Sequence, residues 1–101
     1  MGAGDGIPTG ITTGAPGSLY GGEATQAIAA AGRYVLPAGN YYVLQVGADL
    51  RLQVYGNSLG WINLTAAGVL PSGMVTSDGQ NVGFINNGGG SENLITIKLY
   101  G

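Results

Sequence analysis

The stretch Ala48–Gly68, ADLRLQVYGNSLGWINLTAAG, decides the fold class. Leu50, Leu52 and Val54 fall on one side of an extended backbone while Arg51, Gln53 and Tyr55 fall on the other, the two-residue period of a strand with one face buried. Asn57 to Gly60 then supplies turn residues, and the run from Trp61 reads as the returning strand of a hairpin. Asn63-Leu64-Thr65 matches a glycosylation acceptor pattern but reads more simply as the end of that strand.

The same texture extends in both directions. Upstream, GRYVLPAGNYYVLQVG predicts strands over Arg33–Leu36 and Asn40–Val46, reversed at Pro37-Ala38-Gly39, where proline fixes φ and glycine permits a positive one. Tyr41 and Tyr42 are adjacent in that strand, so one of them must point away from the core. Downstream, Met74–Ser77 and Val82–Asn86 read as a second hairpin turned at SDGQN, with Asp78-Gly79 as the tight-turn dipeptide. NNGGGSEN is a loop, and NLITIKLYG closes the chain with Ile95, Ile97 and Leu99 expected inward and Thr96, Lys98 and Tyr100 outward. EATQAIAAAG, from Glu23, has helical propensity but is too short for a stable isolated helix, and it is read as a strand. Turn signals recurring about every eight to twelve residues predict an all-β sandwich or barrel. A single domain over residues 23–101 is expected, preceded by an extended arm over residues 1–22.

Composition narrows the function. Only 8% of the 101 residues are charged, with a formal net charge of −2, against about 25% charged in an ordinary soluble domain. So neutral a surface resists association poorly and is expected to be covered by permanent contacts. Arg33, Arg51 and Lys98 are the only cations and are scattered in sequence, which argues against nucleic acid as a partner. The longest apolar run is Ala27–Ala31, and the chain's start has neither a basic nor an apolar region, so neither a membrane span nor a signal peptide is expected.

Catalytic chemistry finds few groups to use. Without histidine or cysteine, the usual base for a serine nucleophile and the thiol alternatives are both absent, so an enzyme is not expected. The acids Asp5, Glu23, Asp49, Asp78 and Glu92 sit beside glycines or turn residues and read as turn formers or solvated groups. Asp78 and Asn81 fall short of a calcium loop, which needs several carboxylates. No cofactor and no metal are expected.

Aromatic residues are the remaining candidates. Trp61 reads first as a core residue, with a subunit contact or a ligand platform as alternatives. Tyr55 and Tyr100 share faces with Arg51 and Lys98, and together with Tyr42 and Arg51 they are candidates for an oligomer interface. Trp61 and Tyr41 are the candidates for stacking against a sugar ring. In the opening MGAGDGIPTGITTGAPGSLYGG, the anchors Ile7, Pro8, Ile11, Leu19 and Tyr20 are spaced among glycines. That spacing suits a segment lying extended across another protein's surface.

Three features together carry a family resemblance: Pro37-Ala38-Gly39 before a tyrosine-rich strand, Leu50, Leu52, Gln53 and Val54 followed after a turn by Trp61, and the terminal Ile95-Thr96-Ile97-Lys98-Leu99. Over about residues 33–100 the chain resembles the small head decoration, or cement, proteins of tailed bacteriophages and related virion β-sandwich proteins. It departs from them at Asn57-Ser58-Leu59-Gly60, where related sequences often carry Asp-Gly before the tryptophan. The resemblance implies a jelly-roll-like sandwich, commonly a homotrimer, on the outer surface of the virion capsid. There it would bridge neighbouring copies of the major capsid protein and stabilise the head. The alternative is a glycan-binding module of a phage tail fibre or adsorption apparatus, using Trp61 or exposed tyrosines.

Overall fold

In the computed structural model the described residues are 20–99, with side chains from Glu23 to Leu99. They form eight strands and no helix: β1 Tyr20–Ile28, β2 Arg33–Val35, β3 Gly39–Val46, β4 Leu50–Gly56, β5 Gly60–Asn63, β6 Val75–Ser77, β7 Val82–Asn86 and β8 Glu92–Leu99. Two antiparallel four-stranded sheets result, the first in the order β1-β8-β3-β6 and the second in the order β2-β7-β4-β5. The first strand therefore pairs with the eighth, the second with the seventh, the third with the sixth and the fourth with the fifth. A long antiparallel hairpin wound over on itself gives that set of pairs.

The core lies between the sheets. Leu50, Leu52 and Phe84 from the second sheet meet Tyr41, Val43, Val75 and Leu94 from the first, with Ile28 and Leu36 closing the ends. Phe84 and Leu50 are completely buried, so the alternation read in β4 holds for the rows it placed inward and outward. The β4–β5 hairpin also forms, joined by Asn57, Ser58 and Leu59, with Gly60 at φ 72° supplying the left-handed residue that such a loop needs. β1 is a strand, as read, but it starts at Tyr20, three residues inside the expected arm. Its described side chains are exposed up to Ile28, so the main-chain ladder to β8 holds it more than side-chain burial does.

Two expected hairpins are not hairpins. β2 and β3 lie in different sheets, and the Pro37–Gly39 segment carries the chain across the sandwich. The Tyr41 hydroxyl donates to the Pro37 carbonyl at 2.8 Å and pins that corner. β6 and β7 likewise belong to different sheets. The turn between them forms for the reason the sequence suggests, since Asp78 Oδ1 accepts the Gln80 and Asn81 N–H groups, each at 2.8 Å. Turn chemistry reverses the chain locally without deciding which strand each arm will bond.

The last strand is turned over relative to expectation. β3 pairs Tyr41 with Lys98, Val43 with Thr96 and Val46 with Leu94, and Tyr41, Val43 and Leu94 belong to the core. Leu94 and Thr96 therefore face inward, while Ile95, Ile97 and Leu99 face outward. Ile97 forms a separate cluster with Tyr42, Leu44 and Leu99 on the outside of the first sheet. Because side chains alternate at a period of two, the register with β3 sends the whole row to one face or the other.

Candidate functional site

The outward face of the second sheet brings together Trp61, Tyr55, Arg33 and Arg51. Opposite the inward row of Leu50 and Leu52, strand β4 presents Arg51, Gln53 and Tyr55, and β5 sets Trp61 directly across from Tyr55. The two rings meet edge to face, with centroids 5.6 Å apart and planes at 65°. Trp61 is thus on the outside of the sandwich and not in its core. Arg33, from β2 at the far side of the sheet, reaches across so that its Cζ stands 4.5 Å from the Trp61 ring centroid. Its Nε donates to Gln53 Oε1 at 3.0 Å, and Gln53 Nε2 donates to Asn63 Oδ1 at 2.8 Å.

A missing side chain makes that reach possible. Gly83 of β7 stands between Val35 and Gln53 in the ladder. A Cβ there would lie 2.6 Å from the Tyr34 carbonyl oxygen and 3.2 Å from the Val35 Cα, contacts that only a shift of β2 could relieve. Glycine keeps β2 close and leaves the middle of the face open for the arginine chain. Gln53 and Gly83 are buried in consequence, although both belong to the outward face.

Arg51 completes the group. It is paired with Ile85, which on its other side is paired with Arg33, so the two arginines bracket one residue of β7. Arg51 Nε is buried with no hydrogen-bond partner, a condition that costs about 1–3 kcal/mol for a polar group and more for a charged one.

Other expected site residues are distributed differently. Tyr41 is in the core and its burial raises the phenol above its ordinary value, so it offers no ring to a sugar. Tyr42 lies outward, in the apolar cluster around Ile97. Tyr20 opens β1 opposite Leu99, while Ile7, Pro8, Ile11, Leu19 and Tyr100 lie outside the described residues. Composition does not single out the apolar residues flanking β5: Leu59, in the turn before it, is 77% exposed, and Leu64, Val69, Leu70 and Met74, after it, are exposed as well. Leu64 and Met74 line a groove of about 330 Å³ with Val54, Val75 and Val82.

Asp5 lies outside the described residues; of the other acids, Asp49 and Asp78 sit in turns or loops, Glu23 is exposed on β1 and Glu92 opens β8. Asp78 is held below the usual carboxylate range by the Gln80 and Asn81 N–H groups. Its contribution to stability is therefore present above the unfolded value and lost as pH falls through the folded one. Glu92 is raised, chiefly by a hydrogen bond shared with the Asp49 carboxylate, and its Oε1 also accepts the Asp49 N–H at 2.7 Å. The sign is reversed here, because a raised carboxyl binds more protons when folded. That pair favours folding at acid pH and ceases to as pH rises through the folded value. Glu92→Gln keeps the acceptor and supplies a permanent donor, so thermal denaturation at neutral pH is expected at a higher Tm than for the unchanged protein. The gap should close below about pH 4, and a lower Tm at neutral pH would contradict the shared-proton account.

No family model, curated protein or solved structure matches the chain.

Proposed function

We propose that this is a structural virion protein, a capsid decoration protein that binds the major capsid protein lattice from outside and stabilises the head. The observation that carries the reading is the second apolar cluster, Ile97 with Tyr42, Leu44 and Leu99, on the outward side of the first sheet. A sandwich needs one core between its sheets; in this additional cluster Ile97 is buried while Tyr42, Leu44 and Leu99 remain half-buried, and their partly open apolar surface suits contacts with copies of itself or with a lattice. Leu59, Leu64, Val69, Leu70 and Met74 add apolar side chains that are exposed to solvent, and a net charge of −2 opposes association only weakly. The pairing of first strand with eighth, second with seventh, third with sixth and fourth with fifth supports the jelly-roll-like sandwich that the family resemblance implies. Several arms on one oligomer, each with weak anchors, would bind together with an avidity none has alone. Slower opening of the shell is then a kinetic effect and needs no chemistry.

Sedimentation of the full chain, alone and with heads assembled from the major capsid protein of the same genome, tests this reading. A trimer that co-sediments with the heads is expected. Leu44→Glu should release monomers whose far-ultraviolet circular dichroism is unchanged. Removing residues 1–19, which stops short of β1, should leave a folded oligomer that no longer binds heads. A chain that stays monomeric at tens of micromolar and ignores the heads would end the proposal.

A second reading, a glycan-binding module of a tail fibre or adsorption apparatus, is favoured by one observation, the outward position of Trp61 beside Tyr55 and Arg33. Aromatic faces on a sheet stack against the C–H faces of sugar rings, and neighbouring amides meet hydroxyl groups.

A further inference from the structure

We infer that the outward face of the second sheet binds a saccharide chain bearing carboxylates, with Arg33 and Arg51 receiving the acidic groups and Trp61 and Tyr55 receiving the sugar rings. The inference rests on the glycan-binding reading and adds the chemical class of the glycan.

Charge distribution is the first support. The four strands of this sheet carry two of the chain's three cations and no acidic residue, in a protein whose net charge is −2. One face is therefore positive against an otherwise weakly acidic molecule, and such a local field attracts anions. Among the described residues neither arginine meets a carboxylate.

The state of each guanidinium is the second support. Arg33 is held between the Trp61 ring and Gln53 Oε1, so an arriving carboxylate meets donors whose ordering has already been done. Arg51 keeps a buried Nε without an acceptor. A buried cationic donor left unmatched by the protein's own groups calls for a partner from outside them, which an anion seated against the guanidinium supplies on this inference.

Shape and spacing select the class of anion. Arg33 and Arg51 flank Ile85 from the strands on either side of β7, which separates their backbones by about 10 Å at ordinary strand spacing. A ligand with carboxylates at intervals fits that separation better than a small anion does. Two cations are too few for a polyphosphate, which needs several phosphates neutralised together. The exposed Asn63 amide and the exposed Tyr55 ring offer partners for hydroxyl groups and C–H faces. A uronic-acid oligosaccharide presents all three kinds of group, whereas an acidic peptide presents carboxylates without a ring to stack.

Trp61 is the chain's sole tryptophan, so its fluorescence reports the site directly. The full-length protein is titrated with an oligogalacturonate, with a neutral galactan oligosaccharide of equal length and with an oligoglutamate peptide. Saturable change with the oligogalacturonate alone, weakened about tenfold or more between 50 and 300 mM salt, is the expected result. Arg51→Gln should lower that affinity about tenfold, as the loss of one charge-assisted contact does. Its Tm should not fall, because the variant removes a donor that has no partner. Trp61→Phe, followed by calorimetry, should weaken binding while the protein stays folded. Equal response to the neutral oligosaccharide would overturn the acidic class while leaving the glycan-binding reading in place. Response to oligoglutamate at equal affinity would replace the saccharide by an acidic peptide, and silence towards all three probes would remove both the inference and the reading beneath it.

Discussion

Asn86→Leu is expected to lower the stability of this domain by about 3–5 kcal/mol, read as a shift in the urea midpoint. Asn86 is completely buried at the end of β7. Its Nδ2 donates to the Ile28 carbonyl at 2.9 Å and the Gly90 carbonyl at 2.8 Å, and its Oδ1 accepts the Gly88 N–H at 2.8 Å. Its own N–H donates to the Gly32 carbonyl at 2.8 Å. One side chain thus joins the end of β1 in the first sheet, the glycine loop before β8 and the second sheet. Leucine keeps the branched outline of the amide but its two methyl groups are bulkier, so three main-chain groups lose their partners and the closed site must also give way. The Ile28 carbonyl is the costliest of these, since Asn86 meets it deep between the sheets, whereas the glycine groups can turn towards water. A domain of this size has about 5–10 kcal/mol in all, so the variant should be close to unfolding at 37 °C. A loss below about 1 kcal/mol would mean that water takes over these bonds and that the amide is not what joins the sheets.

Phe84→Ala is the other large effect, expected at about 3–5 kcal/mol in the same measurement. Phe84 lies at the centre of the second sheet, between Tyr34 of β2 and Leu52 of β4, and is completely buried. Truncation removes the largest fully buried side chain among the described residues and leaves a void that flanking strands cannot collapse into without breaking their ladders. Ile85→Ala, one residue along on the outward face, is the internal comparison, with an expected cost of about 1 kcal/mol or less. Equal costs at the two positions would show that the second sheet has no preferred face, and the placement of Arg33, Arg51 and Trp61 outside the core would fall with it.

Both effects depend on which face a residue occupies, and that was only partly legible beforehand. In β4 the alternation has apolar residues on one side and polar ones on the other, so burial has a single solution and the sequence reading is correct. In β8 the asymmetry points the wrong way. Leu94 stands in one row and Ile95, Ile97 and Leu99 in the other, and counting apolar residues selects the row that the fold sends outward. Trp61 was misplaced by a similar assumption, that the largest apolar side chain belongs inside. A four-residue connection over Asn57–Gly60 would set Trp61 across from Gly56, on the inward side, whereas the three-residue loop Asn57–Leu59 pairs it with Tyr55 on the outside.

The amino-acid sequence by itself determined that the chain is all-β, where its strands and turns fall, and that it has almost no charge with which to stay apart from its neighbours. These properties are local, since period, turn chemistry and composition act over a few residues. The tertiary structure alone decided which strands share a sheet, which row of β8 enters the core between the sheets, and that Arg33 comes to rest on Trp61 across the two intervening strands β7 and β4. Those outcomes depend on register between strands distant along the chain, and a backbone hydrogen bond is indifferent to the side chains it aligns. Register follows from the whole core packing at once, and so do the faces that the protein presents to its partners.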